Sequence, residues 1–275
     1  MTQQTSNNID STLKKLSIQV GLNGLSFCIL DTTTQTIVDL QHHPFDKTTH
    51  LEKLQNKVSE IFEDAKLLDQ SFQHVAVSYV NELATFVPKA LFNDKKLADY
   101  IKFNNKILIN DYITFDIVPN NDMVNVYVPY MNLNNYFVDC FGEFEYKHFA
   151  TILVANVLTK STNFDHSAMY VNIQSKQFEI IVIKGKKLNF YNSFTCETKE
   201  DFIYYLLFTI EQLALNTEEL PLYFLGDIDE EDERYKLAYT YIRHVQFGNR
   251  NDRYSIDEHL KQVRGYDHYT LINNL

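Results

Sequence analysis

The sequence predicts an α/β fold made from two copies of one β-β-β-α-β unit. Three observations carry this: period-2 alternation over two separate blocks, a Thr-initiated helix signal at the same place in each block, and a short apolar run closing both. In the first block, Leu16 to Val20 alternates as a strand, and Leu25 to Leu30 and Thr36 to Leu40 are the second and third strands. They are separated by turns at Gly21-Leu-Asn-Gly24 and Asp31 to Gln35. After Phe45, Thr49-His-Leu-Glu52 has the pattern of a capping box. The helix it predicts puts Leu51, Leu54, Val58, Ile61, Phe62 and Ala65 on one face. His74 to Val80 is apolar and short enough for a buried parallel strand.

The second block repeats that order. Ala168 to Ile173, Phe178 to Ile183 and Leu188 to Tyr191 are the strands, with turns at Gln174 to Gln177 and around Lys184-Gly-Lys-Lys187. Thr198-Lys-Glu-Asp201 caps a helix carrying Phe202, Ile203, Leu206, Leu207, Ile210 and Leu213, and Pro221 to Gly226 closes the unit. Phe45 precedes Thr49 by the same interval as Phe194 precedes Thr198, and the blocks lie about 150 residues apart. An internal duplication accounts for this, so residues 16–81 and 168–226 are expected to superpose.

The two units continue differently. The first leads through Thr85-Phe-Val-Pro88 into a predicted helix from Lys89 to Lys102. Strands come next at Ile107 to Val118 and Val124 to Tyr130, then a helix from about Asn132. The second leads to a helix near Asp232 to Ile242 and a strand at Val245 to Phe247. The expected organisation is a disordered N-terminus over 1–13, a first half over 14–160 with an inserted subdomain at about 82–130, and a second half over 161–275.

Composition bounds the function. Hydrophobic residues make up 45% and charged residues 22% of the 275, as in globular chains. The net charge of −11 argues against nucleic acid or an anionic membrane as partner, since both require clustered Lys and Arg. No run approaches the ~18 apolar residues of a membrane span, and no signal-peptide pattern opens the chain. Cys28, Cys140 and Cys196 are widely spaced, which predicts reduced thiols in a cytoplasmic protein and no zinc site. Seven glycines leave little material for loops that wrap phosphate.

Other constellations have structural explanations. The acidic run Asp227 to Glu233 lacks the ligand spacing of a calcium loop and suits a helix start. His42-His43 precede Pro44 in what is expected to be a loop, without metal spacing. No G-x-S-x-G elbow occurs. The 18 Tyr and 20 Phe lie at core-facing positions without interleaved Arg or Lys.

A duplicated β-β-β-α-β unit with an insertion in its first copy resembles the actin-like ATPase (RNase-H-like) superfamily of sugar kinases, Hsp70-type chaperones and actin-like proteins of cell division and pilus assembly. The Val87-Pro88-Lys89 exit and the helix predicted after it look like the small subdomain inserted in the last of these. The whole chain also resembles uncharacterised bacterial proteins with this fold and no assigned activity. In active members of the superfamily, the resemblance implies, each half carries Asp-x-Gly at its first hairpin, for magnesium and for close approach of backbone to phosphate. Here the first hairpin reads Gln19-Val20-Gly21 and the second Asn172-Ile173-Gln174. The adenosine loop survives only as Leu225-Gly226-Asp227. The cleft candidates are therefore Gln19, Gly21, Asn172, Gln174 and Gly226, with no catalytic or metal residue and no cofactor expected. The expected function is that of a pseudo-ATPase working through an unknown protein partner. The alternative is a nucleotide-binding switch, or an ATPase or kinase with an atypical site at these positions.

Overall fold

A computed structural model describes residues 13–45, 49–160, 166–250 and 253–275. The expected disorder of 1–13 falls, apart from Leu13, outside the described residues.

The first unit comprises β1 (Lys14–Gly21), β2 (Gly24–Asp31), β3 (Thr36–Pro44), α1 (Leu51–Asp64) and β4 (His74–Val80). Leu16, Ile18 and Val20 on alternate positions of β1 pack with Leu54, Val58 and Phe62 of α1. The second unit comprises β9 (Ser167–Ile173), β10 (Gln177–Lys184), β11 (Lys187–Thr195), α5 (Lys199–Gln212) and β12 (Pro221–Gly226). Its outer face buries Val171, Ile173, Ile180 and Val182 beneath Phe202, Leu206 and Ile210.

Between the units lie β5 (Ala84–Pro88), α2 (Leu97–Lys102), β6 (Thr114–Ile117), β7 (Met123–Tyr127), α3 (Met131–Phe141), β8 (Glu145–His148) and α4 (Phe149–Lys160). After them come α6 (Glu233–Tyr241), β13 (His244–Phe247), β14 (Ser255–Ile256) and α7 (Tyr269–Ile272). The first sheet runs β14-β3-β2-β1-β4-β8 and the second β11-β10-β9-β12-β13. Leaving β14 aside, both have the same order, with an antiparallel meander and two parallel neighbours added beyond the first strand. The repeat read from the sequence is thus present in the topology. The small third sheet, β5-β7-β6, is the inserted subdomain, with its own core around Val87, Ile101, Val124 and Val126.

Several elements differ from expectation. Helix α1 is capped by His50 without a side-chain bond, not by Thr49. The Thr49 backbone is used elsewhere: its N–H donates to Leu22 O at 2.8 Å and pins the β1–β2 turn, so the helix begins later. The capping box forms in α5, where Thr198 Oγ1 accepts from Asp201 N at 3.1 Å and Asp201 Oδ2 accepts from Thr198 N at 3.0 Å. The helix expected over 89–102 is two 3₁₀ turns (Lys89–Leu91, Asp94–Lys96) leading into α2, because Asn93 Oδ1 takes the Lys95 N–H and interrupts the spiral. The strand expected over 107–118 shrinks to β6. A turn occupies its start, with Leu108 N donating to Asp111 Oδ2 at 2.7 Å. His42 and His43 belong to β3, which runs four residues past the expected strand end at Leu40, and not to a loop.

Two layers lie between the sheets. Helix α4 is buried on nearly every side and packs Phe149, Leu153, Val154 and Val157 against Ala168, Tyr170, Ile181 and Ile183 of the second sheet. The chain after β13 returns to the first half: β14 pairs with β3, and Leu271 and Ile272 cover Cys28, Leu30 and Ile37. Residues 161–275, assigned from sequence to the second half, are therefore shared, with the last stretch completing the first.

Candidate functional site

Each hairpin end meets a different environment. In β1, Ser17 and Gln19 alternate away from the α1 side and face the returning C-terminal segment. Ser17 Oγ donates to Leu271 O at 2.7 Å, and Thr270 Oγ1 donates to Gln19 Oε1. Gly21 sits against β4; a Cβ there would lie 3.0 Å from Val80 O, so close strand packing alone accounts for this glycine. Beside Gln19 lies a second polar pair, Ser26 and His42, joined through Oγ and Nδ1 at 2.8 Å. The His42 and His268 rings are 6.1 Å apart. Burial lowers the pKa of both imidazoles, to about 4 for His268, so they are neutral near pH 7.

In the second half, Asn172 and Gln174 converge on a residue that composition and motif did not single out. Glu179 lies opposite Asn172 in the β9–β10 register and is fully buried. Its carboxylate accepts from Asn172 Nδ2 at 2.7 Å, from Gln174 Nε2 at 3.2 Å, from Gln177 Nε2 at 3.3 Å and from Ser193 Oγ at 3.4 Å. Burial raises its pKa to about 7, and the side-chain donors pull the other way. A signal was present: Phe178-Glu-Ile-Ile-Val-Ile183 is apolar on both faces, so its one acid has no solvent side to turn to.

Gly226 adopts φ +83°, and a Cβ on it would fall 2.2 Å from Ile173 O. Only glycine fits. Its N–H donates to Tyr266 O at 2.9 Å, and the next N–H, of Asp227, donates to Ile173 O at 3.0 Å. The acidic run beyond it forms a helix entry: Asp229 Oδ1 accepts from Glu231 N and Asp232 N, and Asp232 caps α6. Gly226 and Asn172 are therefore neighbours, as are Asn172 and Gln174, whereas Gln19 is engaged by α7 instead.

Two cavities lie elsewhere. One of about 260 Å³ lies between β11 and α5, and one of about 490 Å³ lies in the inserted subdomain beside Phe92, Phe115 and Ile117. No group of His, Cys, Asp and Glu suited to a metal ion occurs among the described residues, nor does any helix there have the length and apolarity to cross a membrane.

The DUF3822 family model, described as a protein of unknown function, matches residues 3–245. The chain belongs to this family. Among solved structures, the DUF3822 chain is similar to a Bacteroides thetaiotaomicron protein with an actin-like ATPase fold and unknown function. That match has 22% identity and a TM-score of 0.77, covering 86% of this chain and 91% of the other. It is also similar to a chain of the PilM–PilN type IV pilus biogenesis complex, at 12% identity and a TM-score of 0.60, covering 96% of this chain and 98% of that one. No curated protein matches it. The fold of this DUF3822 protein is that of the actin-like ATPases, as the duplicated sheets indicate.

Proposed function

We propose that this DUF3822 protein is a non-catalytic member of the actin-like fold that acts through contacts with another protein. One observation carries the reading: the polar groups at the cleft positions are spent on the chain itself. A magnesium–phosphate group requires oxygen donors for the metal and free backbone N–H groups for the phosphate. Gln19 Oε1 accepts from Thr270, the Asn172 amide donates to Glu179, and the N–H groups of Gly226 and Asp227 donate to carbonyls. The residues present do not fit that group as they stand.

Two further features support a binding role. The inserted subdomain exposes Leu91, Phe103, Leu108, Ile109 and Ile117, apolar surface that a monomer gains nothing by showing to water. A protein of the same fold is a component of a two-protein pilus complex.

A nucleotide-switch reading draws on Glu179, which supplies a carboxylate beside Asn172. Thermal-shift titration separates the two. A ligand at one hundred times its Kd adds ~2.7 kcal/mol to native stability. Millimolar ATP, with and without magnesium, is expected to leave the melting temperature unchanged. A saturable rise of several degrees would overturn the reading in which the cleft takes no nucleotide and would favour the switch.

A further inference from the structure

The three sheets end in six edge strands among the described residues, and five of them are protected against further pairing. β14 has two residues, β6, β8 and β13 have four each, and β5 ends on Pro88. β8 reads Glu-Tyr-Lys-His and β6 carries Asp116. Shortness, charge and proline are the usual means of blocking an edge. β11 has neither shortness nor proline, its one charge is Lys187 at its very start, and its one irregularity, at Asn189, also falls near that end. It is nine residues long, and from Leu188 to Thr195 it contains no charged residue, proline or glycine. Beyond its ladder with β10, none of these residues makes a backbone–backbone hydrogen bond among the described residues.

The open edge runs beside the groove of about 260 Å³, walled by Phe190 and Phe194 of β11 and by Tyr204 and Phe208 of α5. Tyr204 and Phe208 are 61% and 45% exposed although their rings stack 6.0 Å apart, so a second apolar surface lies alongside the strand. Charge distinguishes the ends of the edge. Lys184, Lys186 and Lys187 are exposed where β11 begins, and Glu197 and Glu200 are exposed just past its end. None of the five is ion-paired among the described residues.

We propose that β11 is a self-association edge: two copies of this chain pair their β11 strands antiparallel about a two-fold axis, joining two five-stranded sheets. Antiparallel pairing sets the basic start of each strand beside the acidic end of the other, so the edge is complementary to itself. The same axis brings the Tyr204–Phe208 pairs of two α5 helices to one face. Pairing through β11 does not depend on whether the cleft takes nucleotide.

Sedimentation of the full chain tests it. The expected particle has twice the 32.3 kDa chain mass at tens of micromolar protein. Lys187→Glu and Glu197→Lys each set like charges together twice and should weaken the dimer about tenfold or more. An equimolar mixture of the two variants should restore dimers, because each reversed residue then meets its opposite. Phe208→Lys should also dissociate the dimer. All three positions are exposed, so unchanged circular dichroism spectra check that the variants fold. A chain monomeric on the order of 100 µM overturns the proposal. So does a dimer indifferent to all three changes, or a mixture that restores nothing. An edge reserved for an extended segment of a different protein would give the first of these results.

Discussion

Glu179 is the residue whose environment makes the sharpest physical demand. Its carboxyl titrates near 4.5 in an unfolded chain and about 7 in the fold, because desolvation outweighs four side-chain donors. The native state therefore holds more protons between pH 4.5 and 7. The stability contribution of this group falls as pH rises through that window, by about 3 kcal/mol in total. His268 acts in the opposite sense: burial lowers it to about 4, so between there and 6.5 the unfolded state binds more protons and stability rises with pH. The two slopes overlap, and substitution separates them. The unfolding free energy of wild type minus that of Glu179→Gln, measured in urea, should drop by about 3 kcal/mol between pH 4.5 and 7.5. A flat difference would mean that the carboxyl ionises as it does in water.

At the scale of elements, the two copies of the unit differ in how their helices begin. Thr198 and Asp201 cap α5 reciprocally, while His50 offers α1 no side-chain acceptor. Thr198→Ala should cost about 1 kcal/mol, and His50→Asp should add roughly 0.5–1 kcal/mol by supplying the missing acceptor next to the helix N-terminus. Thermal denaturation of the two variants checks both signs. β1 is legible in sequence because it alternates, Leu16, Ile18 and Val20 against Ser17 and Gln19, and β10 because it is a short apolar run bounded by turns. Helix α4 is not, since burial around almost its whole circumference removes the period that marks a helix. The segment after Lys89 misleads because Asn93 favours its own local bond over the helical one. At the site, Gln19, Asn172, Gln174 and Gly226 are visible through their hairpin positions. Their partners Thr270, Glu179 and Tyr266 are not, because they come from other strands or from the far end of the chain.

The whole molecule holds together through two layers that belong to neither sheet alone. Helix α4 packs on the inner face of the second sheet, and residues 254–275 cover the inner face of the first, over Cys28, Leu30 and Ile37. Cys28 is fully buried and desolvation raises its thiol pKa, so it should react slowly with a thiol reagent in the folded protein. Deleting residues 254–275 should uncover that face and speed Cys28 modification to nearly the rate of the unfolded chain. Modification rates unchanged by the deletion would show that the segment rests on the sheet without supporting it.

The pairing of β14 with β3 also imposes an order in time. A ribosome delivers residues 14–160 first, yet the sheet they form lacks its inner cover until residues 254–275 have emerged. The second sheet, drawn from the continuous stretch 167–247, can close on α4 before then. The half translated first is thus the half completed last, and during that interval the nascent chain presents Cys28, Leu30 and Ile37 as the apolar face a chaperone would meet.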